Sequence, residues 1–396
     1  MERRRDPGGW ARGRESGGGQ LSAPRLRIDT PAKAGLDPEE LRLLVREIRD
    51  ALGGERPWAA GAVVVAGRGP VIAVEAAMGW AVRYTAYDAE TDRGVELPPE
   101  ARVPVTVGTP FDVASLTKLF TAVIAVQQLE RGTLDIDARV AAYLPDFQAA
   151  AEHGITVRQV LTHTSGLRPE LPLYDCASYA ARLALLRAEA PVGMPGTYCY
   201  SDLNMLLLQF VLERVTGRTL DVLVGDCITR PLGMTATGFG PSPEAAATED
   251  QRRPWAKADR GMLRGAVHDE NAWALGGVAG HAGLFSTARD LAVFCRTLLA
   301  GGSYGPARIL GPDFVDLMLA PPGLGFEVDQ PWFMGELAGG GAAGHTGFTG
   351  TSLVLDPATD TFLVLLANTV HPRRRDPDNR VRVAAADRLA RAVRGT

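Results

Sequence analysis

Strand-forming runs sit at the two ends of this 396-residue chain, while the stretch between them reads as helix and loop. Near the start, Gly61-Ala62-Val63-Val64-Val65-Ala66 and Val71-Ile72-Ala73-Val74 predict two strands joined as a hairpin at Gly67-Arg68-Gly69. Near the end, Thr351-Ser352-Leu353-Val354-Leu355 and Phe362-Leu363-Val364-Leu365-Leu366 predict two more. The simplest packing is an α/β fold: one antiparallel sheet built from both termini and flanked by helices, with a mostly helical insert folded over one side. A site at that seam draws its residues from distant parts of the chain.

The helices carry their own signals. Asp37 before Pro38 marks a helix start, with Leu41, Leu44, Val45 and Ile48 at helical spacing. Leu116, Leu119, Phe120, Val123, Ile124, Val126 and Leu129 predict a helix from Ser115 to Arg131, closing on Gly132. Ser201 to Val215 predicts a strongly apolar helix ended by Gly217, and further helices are expected over 221–228, 287–299 and 380–393. Residues 85–105, polar and Pro-rich, read as a loop. Residues 1–28 read as a disordered, Gly-rich polar leader. Residues 29–396 then form a single domain, with a sheet lobe at about 29–110 and 330–396 and a helical lobe at about 111–329.

Composition excludes several classes. Formal charge is −4 with pI ≈ 5.9, so no basic field points to nucleic acid. No apolar run reaches the ~18 residues of a membrane span, and no apolar signal segment follows the first arginines, which makes the cytoplasm the expected location. The four cysteines lack C-x-x-C spacing and read as buried or incidental thiols. No H-E-x-x-H or G-x-S-x-G occurs, so neither a zinc protease helix nor an α/β-hydrolase elbow is indicated. Of the 42 basic residues only Lys33, Lys118 and Lys257 are lysines, which makes a lysine at any given position improbable.

That bias draws attention to Ser115-Leu116-Thr117-Lys118. Ten serines and three lysines predict only ~0.08 Ser-x-x-Lys by chance. Three residues apart at a helix start, the two side chains share a face. A serine hydroxyl needs a proton acceptor before it can attack, and burial with the positive helix N-terminus favours a neutral amine at Lys118. The competing assignment is a capping serine beside a solvent-facing lysine. Tyr200-Ser201-Asp202 is a second candidate at a loop-to-helix junction, because a tyrosine beside an ammonium can act as a general base; packing is the alternative. Gly344-His345-Thr346-Gly347-Phe348-Thr349-Gly350 is the third. Its Gly347 can let a backbone N–H approach a substrate carbonyl, or it can be a simple turn.

In this order the three motifs resemble the serine β-lactamase and penicillin-binding-protein superfamily, most closely its class C-like serine hydrolases and esterases. Phe111-Asp112-Val113-Ala114 before the serine strengthens the resemblance. So do Leu161-Thr162-His163-Thr164-Ser165-Gly166-Leu167 and Gly280-His281-Ala282-Gly283-Leu284-Phe285-Ser286-Thr287. The resemblance implies a β-lactamase-like fold, Ser115 as the acylated nucleophile, Lys118 as its proton-accepting partner and Tyr200 as the proton shuttle. It further implies an oxyanion hole from the N–H groups of Ser115 and Phe348, with Asp202, His345, Thr346 and Gly347 lining the substrate, and no metal or organic cofactor.

Two departures shape the expected activity. Asp202 stands where the family has Asn, offering acceptors but no amide donor; it can hold Lys118 by charge, and Asn204 is an unaligned substitute. His345 replaces the lysine typical of β-lactamases and is largely neutral near pH 7. Both point away from penicillin hydrolysis and toward an ester, amide or thioester of a small molecule. The leading expectation is therefore a serine hydrolase working through an acyl-enzyme. An acyltransferase or peptide cyclase using the same serine, a D-amino-acid peptidase or weak β-lactamase, and a non-catalytic binding protein are the alternatives. His163, His268 and His281, with Asp269-Glu270, read as structural.

Overall fold

The computed structural model describes residues 23–395. Its main sheet has eight strands. The hairpin Gly61–Arg68 and Val71–Val82 forms as expected, and Thr361–Ala367 pairs antiparallel with Gly61–Arg68, so the two ends of the chain meet in the middle of the sheet. Ser352–Asp356, Ala343–Thr346 and Glu327–Val328 continue antiparallel to one edge. Every residue of Thr361–Ala367 is buried, because helices cover both faces of the sheet. On one face Val64 and Ala66 pack with Leu41, Leu44, Ile48 and Leu389 of the first and last helices. On the other, Val63 and Val65 join the large core of the helical region. The period-two alternation of a strand thus assigns neighbouring valines to different cores.

Several expectations need correction. Of the expected leader, residues 1–22 lie outside the described residues, but 23–28 are held in place. Ala23 N–H bonds the Gly305 carbonyl at 3.1 Å, Leu26 N–H bonds the Tyr304 hydroxyl at 3.1 Å, and Arg27–Ile28 pairs with Val71–Ile72. That pairing is parallel, so the sheet is mixed rather than wholly antiparallel. Main-chain partners order this segment despite its polar side chains. Residues 85–105 are not simply a loop: Tyr84–Asp88 pairs with Arg93–Glu96, and Val103–Pro104 joins the main sheet. Tyr84 and Tyr87 are buried there, and Arg83 and Arg102 both hold Glu96, so charge pairing conceals a hairpin. Strands also occur within the middle region, where Phe111–Asp112, Leu284–Ser286 and Gly238–Phe239 form a small sheet beside the segment carrying Ser115.

The helix Thr117–Glu130 runs through the centre, with residues 117–128 all buried. A helix apolar on every side belongs in the interior, and this one is enclosed by Asp202–Thr216, Ala288–Leu299 and the sheet. Asp37 caps the first helix through the Glu39 N–H at 2.7 Å, and Gly217 ends Asp202–Thr216 in the left-handed conformation, as their sequence positions predict. No helix among the described residues is long and apolar enough to cross a membrane.

Candidate active site

Ser115 sits in a short turn of 3-10 helix directly ahead of the central helix. The residue before it, Ala114, adopts φ +48°, a left-handed conformation rare outside glycine. Asp112 holds that bend by accepting the Ala114 N–H at 2.9 Å and the His268 N–H at 2.6 Å. One helical turn on, Lys118 is fully buried and its Nζ donates to Ser115 Oγ at 2.9 Å and to the His281 carbonyl at 3.2 Å. A serine cap with a solvent-facing lysine is therefore ruled out.

The expectation of a neutral lysine is corrected as well. Asp202 Oδ1 lies 2.8 Å from Lys118 Nζ. Burial pushes the ammonium toward deprotonation, but the Asp202 charge and then Tyr200 outweigh it, and Lys118 is held above the usual amine range. Lys118 is an ammonium at rest. Asn204, the unaligned substitute for the family Asn, faces away: it accepts from Ser165 Oγ at 2.6 Å, and its amide meets His163 Nδ1 at 3.2 Å.

A second pair, a buried His281 and a partly exposed Asp269, stands behind the first. His281 Nε2 is 2.9 Å from Asp269 Oδ1, and Asp269 also caps the helix Glu270–Ala274 through the Ala272 N–H at 2.7 Å. Burial opposes the charge on both partners. The neighbouring carboxylates nevertheless hold the imidazole above its usual range, and the imidazolium holds Asp269 well below the carboxylate range. Ligand atoms of Asp202, Asp269 and His281 converge within 4.8 Å, a grouping that can accept a cation. Lys118 and His281 meet that negative charge from within the protein. Asp202 in place of Asn thus adds a carboxylate that faces Lys118 and helps the Asp269 charge to raise the His281 imidazole.

Tyr200 completes the cluster around the serine. Lys118 Nζ lies 4.8 Å from the centre of its ring. Burial pushes the phenol up, and the Lys118 charge together with hydrogen bonds to Lys118 and Ser115 draws it only partway back, so Tyr200 is a neutral phenol at rest. Its ring lies between two histidines, with centroids 4.8 Å from His163 and 5.7 Å from His345. Burial and the Lys118 charge depress both imidazoles to about 3, leaving both neutral. Their tautomers differ. His163 Nδ1 accepts the Ser201 N–H at 3.1 Å, so its proton is on Nε2, whereas His345 Nδ1 lies 2.6 Å from the Thr346 carbonyl and must donate to it, leaving Nε2 as an acceptor.

The strand Ala343–Thr346 brings His345 to the same cavity as Ser115. Thr351 Oγ1 donates to the Val113 carbonyl at 3.0 Å, Thr349 Oγ1 donates to the Asp112 carbonyl at 2.7 Å, and the Gly347 N–H donates to the Thr351 carbonyl at 2.7 Å. A Cβ at Gly347 would fall 2.0 Å from Thr351 Oγ1 and 2.5 Å from the Val113 carbonyl oxygen. The glycine is thus required for the strand to press against the segment carrying Ser115. Its N–H serves that internal packing, not a substrate carbonyl. Phe348 follows half-exposed, its ring 5.6 Å from that of His268.

Ser115, Tyr200, His345, Thr346, Gly347 and Phe348 all line one cavity of about 990 Å³, while Lys118 and Asp202 lie beneath its floor. Three distant parts of the chain therefore meet at one place. Sequence reasoning missed other lining residues: Tyr198, Glu327, Trp332 and Arg382. Arg382 Nη2 donates to the carbonyls of Gly347 at 3.0 Å and Thr351 at 3.2 Å, steadying the same strand. It is one of 39 arginines, and nothing in the sequence marked it out.

The family model described as Beta-lactamase matches residues 45–387. A protein of Escherichia coli K12 named "Putative D-alanyl-D-alanine carboxypeptidase" is 32% identical over 412 aligned residues, covering 94% of this chain and 92% of that protein. Among solved structures, a class C β-lactamase from Rhodobacter sphaeroides shares the fold at TM-score 0.66 and 22% identity, covering 87% of this chain and 97% of that one. EstCE1, described as a hydrolase with promiscuous acyltransferase activity, matches at TM-score 0.66 and 22% identity, covering 89% and 99%. The breadth of the family match, together with a relative spanning nearly the whole chain, shows that this protein belongs to the Beta-lactamase family of serine hydrolases, of β-lactamase, penicillin-binding-protein and esterase type.

Proposed function

We propose that Ser115 forms an acyl-enzyme with an ester, amide or thioester of a small molecule, and that water then releases the acid. The observation that carries this reading is the 2.9 Å contact between Ser115 Oγ and Lys118 Nζ at the floor of the cavity, with Tyr200 against both. Because Lys118 rests as an ammonium, activation of the serine is a relay. Lys118 passes a proton across 2.8 Å to Asp202, and the freed amine takes the proton of Ser115 as its Oγ attacks. Lys118 ends as an ammonium beside the developing oxyanion, which the N–H groups of Ser115 and Phe348 receive. On collapse, Tyr200 gives its proton to the leaving group and is refilled through Lys118 from Asp202, so the resting protonation returns. His345 Nε2, an acceptor, orients the Tyr200 hydroxyl or a donor on the substrate.

The size of the cavity supports a second reading. About 990 Å³ leaves room for an acceptor beside a small acyl group, and the partly exposed Tyr198 and Trp332 give it an apolar rim. An alcohol or amine then replaces water, as the description of EstCE1 suggests for that protein. The carboxypeptidase named for the relatives is the corresponding case with a D-amino acid as leaving group. Turnover of matched aryl ester, aryl thioester and D-alanyl-D-alanine substrates, with and without added alcohols and amines, separates these readings by product. Loss of all turnover in Ser115→Ala is expected; turnover at the wild-type rate in that variant would remove the serine from the mechanism.

A further inference from the structure

Glu327 has no place in the mechanism above, yet it lines the same cavity as Ser115. It lies on the two-residue edge strand, directly opposite Gly344 and thus beside His345. The other buried or half-buried acids around the site are all engaged. Asp202 pairs with Lys118 and Asp269 with His281, while Asp329 accepts the N–H groups of Gly339, Gly341 and Ala342. Beyond its main-chain place in the sheet, the Glu327 carboxylate has neither a hydrogen bond nor an ion pair among the described residues. Burial pushes its carboxyl up to about 7, relieved only by the Lys118 charge, which Asp202 already neutralises. A half-buried carboxylate without a donor is costly to keep, and such groups mark places where a ligand supplies the missing partner. Tyr198 lines the same cavity. A cavity that offers both an aromatic ring and an unpaired carboxylate is suited to an ammonium group.

We propose that Glu327 and Tyr198 form a subsite for a primary amine on the substrate, so that the acyl compounds this enzyme turns over are cationic amines rather than neutral molecules. The proposal rests on the serine mechanism above and narrows its substrate class.

Fluorophosphonates carrying ω-aminoalkyl or ω-hydroxyalkyl chains of varied length test both ideas separately, because fluoride departs as Ser115 is phosphonylated. The second-order labelling rate of the wild-type protein should be at least about tenfold higher for the amine than for the hydroxyl at one chain length, the size expected for one partly desolvated charge-assisted contact. Glu327→Gln should bring that ratio to about one, and Glu327→Asp should keep most of it. Labelling of Ser115 with equal rates for both probes would overturn the amine subsite and leave the serine reading intact. An unchanged ratio in Glu327→Gln would overturn it too. Absence of any labelling would instead overturn the serine reading. The wild-type ratio is decisive by itself if a variant does not fold.

Discussion

Replacing Asp202 by Asn removes the carboxylate that faces the buried Lys118 ammonium. At 2.8 Å and an effective dielectric of about 20, the lost Lys118–Asp202 attraction is about 6 kcal/mol. Taking the two charges out of water offsets part of this, since Lys118 is fully buried and Asp202 only 21% exposed. Breaking such a pair by removing one partner costs about 3 kcal/mol or more. Asp202→Asn should therefore lose about 3 kcal/mol of unfolding free energy in urea titrations at pH 7. Removing both charges in Lys118→Met/Asp202→Asn should recover much of that loss, giving a coupling energy of about 3 kcal/mol in the double-mutant cycle. The sign with pH follows from the raised Lys118 value. The pair's contribution is fully present below the ordinary lysine value of 10.5 and is lost only as pH rises from there through the folded-state value. The gap between wild type and Asp202→Asn should thus be constant from pH 7 to 9. Additivity of the two substitutions within about 0.5 kcal/mol would refute the argument that they form one charge unit.

Three further outcomes are expected. Tyr200→Phe should lower turnover by about 10²- to 10⁴-fold in steady-state kinetics, because the proposed mechanism has this phenol carry the proton to the leaving group. Gly347→Ala should destabilise the protein by about 2 kcal/mol, read as a shift in the urea midpoint, since the new methyl meets Thr351 and the Val113 carbonyl. Stability should fall as pH drops from 6.5 toward 4, because His163 and His345 titrate at about 3 and His371 at about 4 when folded but near 6.5 when unfolded. Depressed values make the unfolded chain bind the extra protons, so the loss on acidification approaches about 4 kcal/mol per pH unit at most for three groups. A flat urea midpoint between pH 6.5 and 4.5 would contradict the neutral, buried imidazoles.

The architecture was legible where side-chain pattern and backbone demand agree. The valine runs of the first hairpin and the helix closing on Gly217 fell where their periodicity placed them, and the Ser-x-x-Lys spacing put Ser115 and Lys118 in contact. The misreadings have a common cause: order supplied by partners remote in sequence. Residues 23–28 are ordered by main-chain bonds to Gly305 and Pro70, and the Tyr84–Glu96 hairpin by arginines that look solvated in one dimension. The same holds at the site. Local burial and the helix terminus argued for a neutral Lys118, but its charge state is set by a carboxylate 84 residues away in the chain. In sequence His281 and Asp269 look like supports, and only their approach to Asp202 in space reveals the cluster. Glu327 has no motif to announce it; what singles it out is a carboxylate without a partner among the described residues.

The central claim is that Ser115 carries the acyl group between the two half-reactions. Rapid acid quench of the enzyme with a slowly turned-over aryl thioester, followed by peptide mapping, measures this directly. The account predicts an acyl adduct on the peptide containing Ser115, formed and lost at rates consistent with turnover and absent in Ser115→Ala. Turnover with no adduct on that peptide, or an equal adduct in Ser115→Ala, would contradict it.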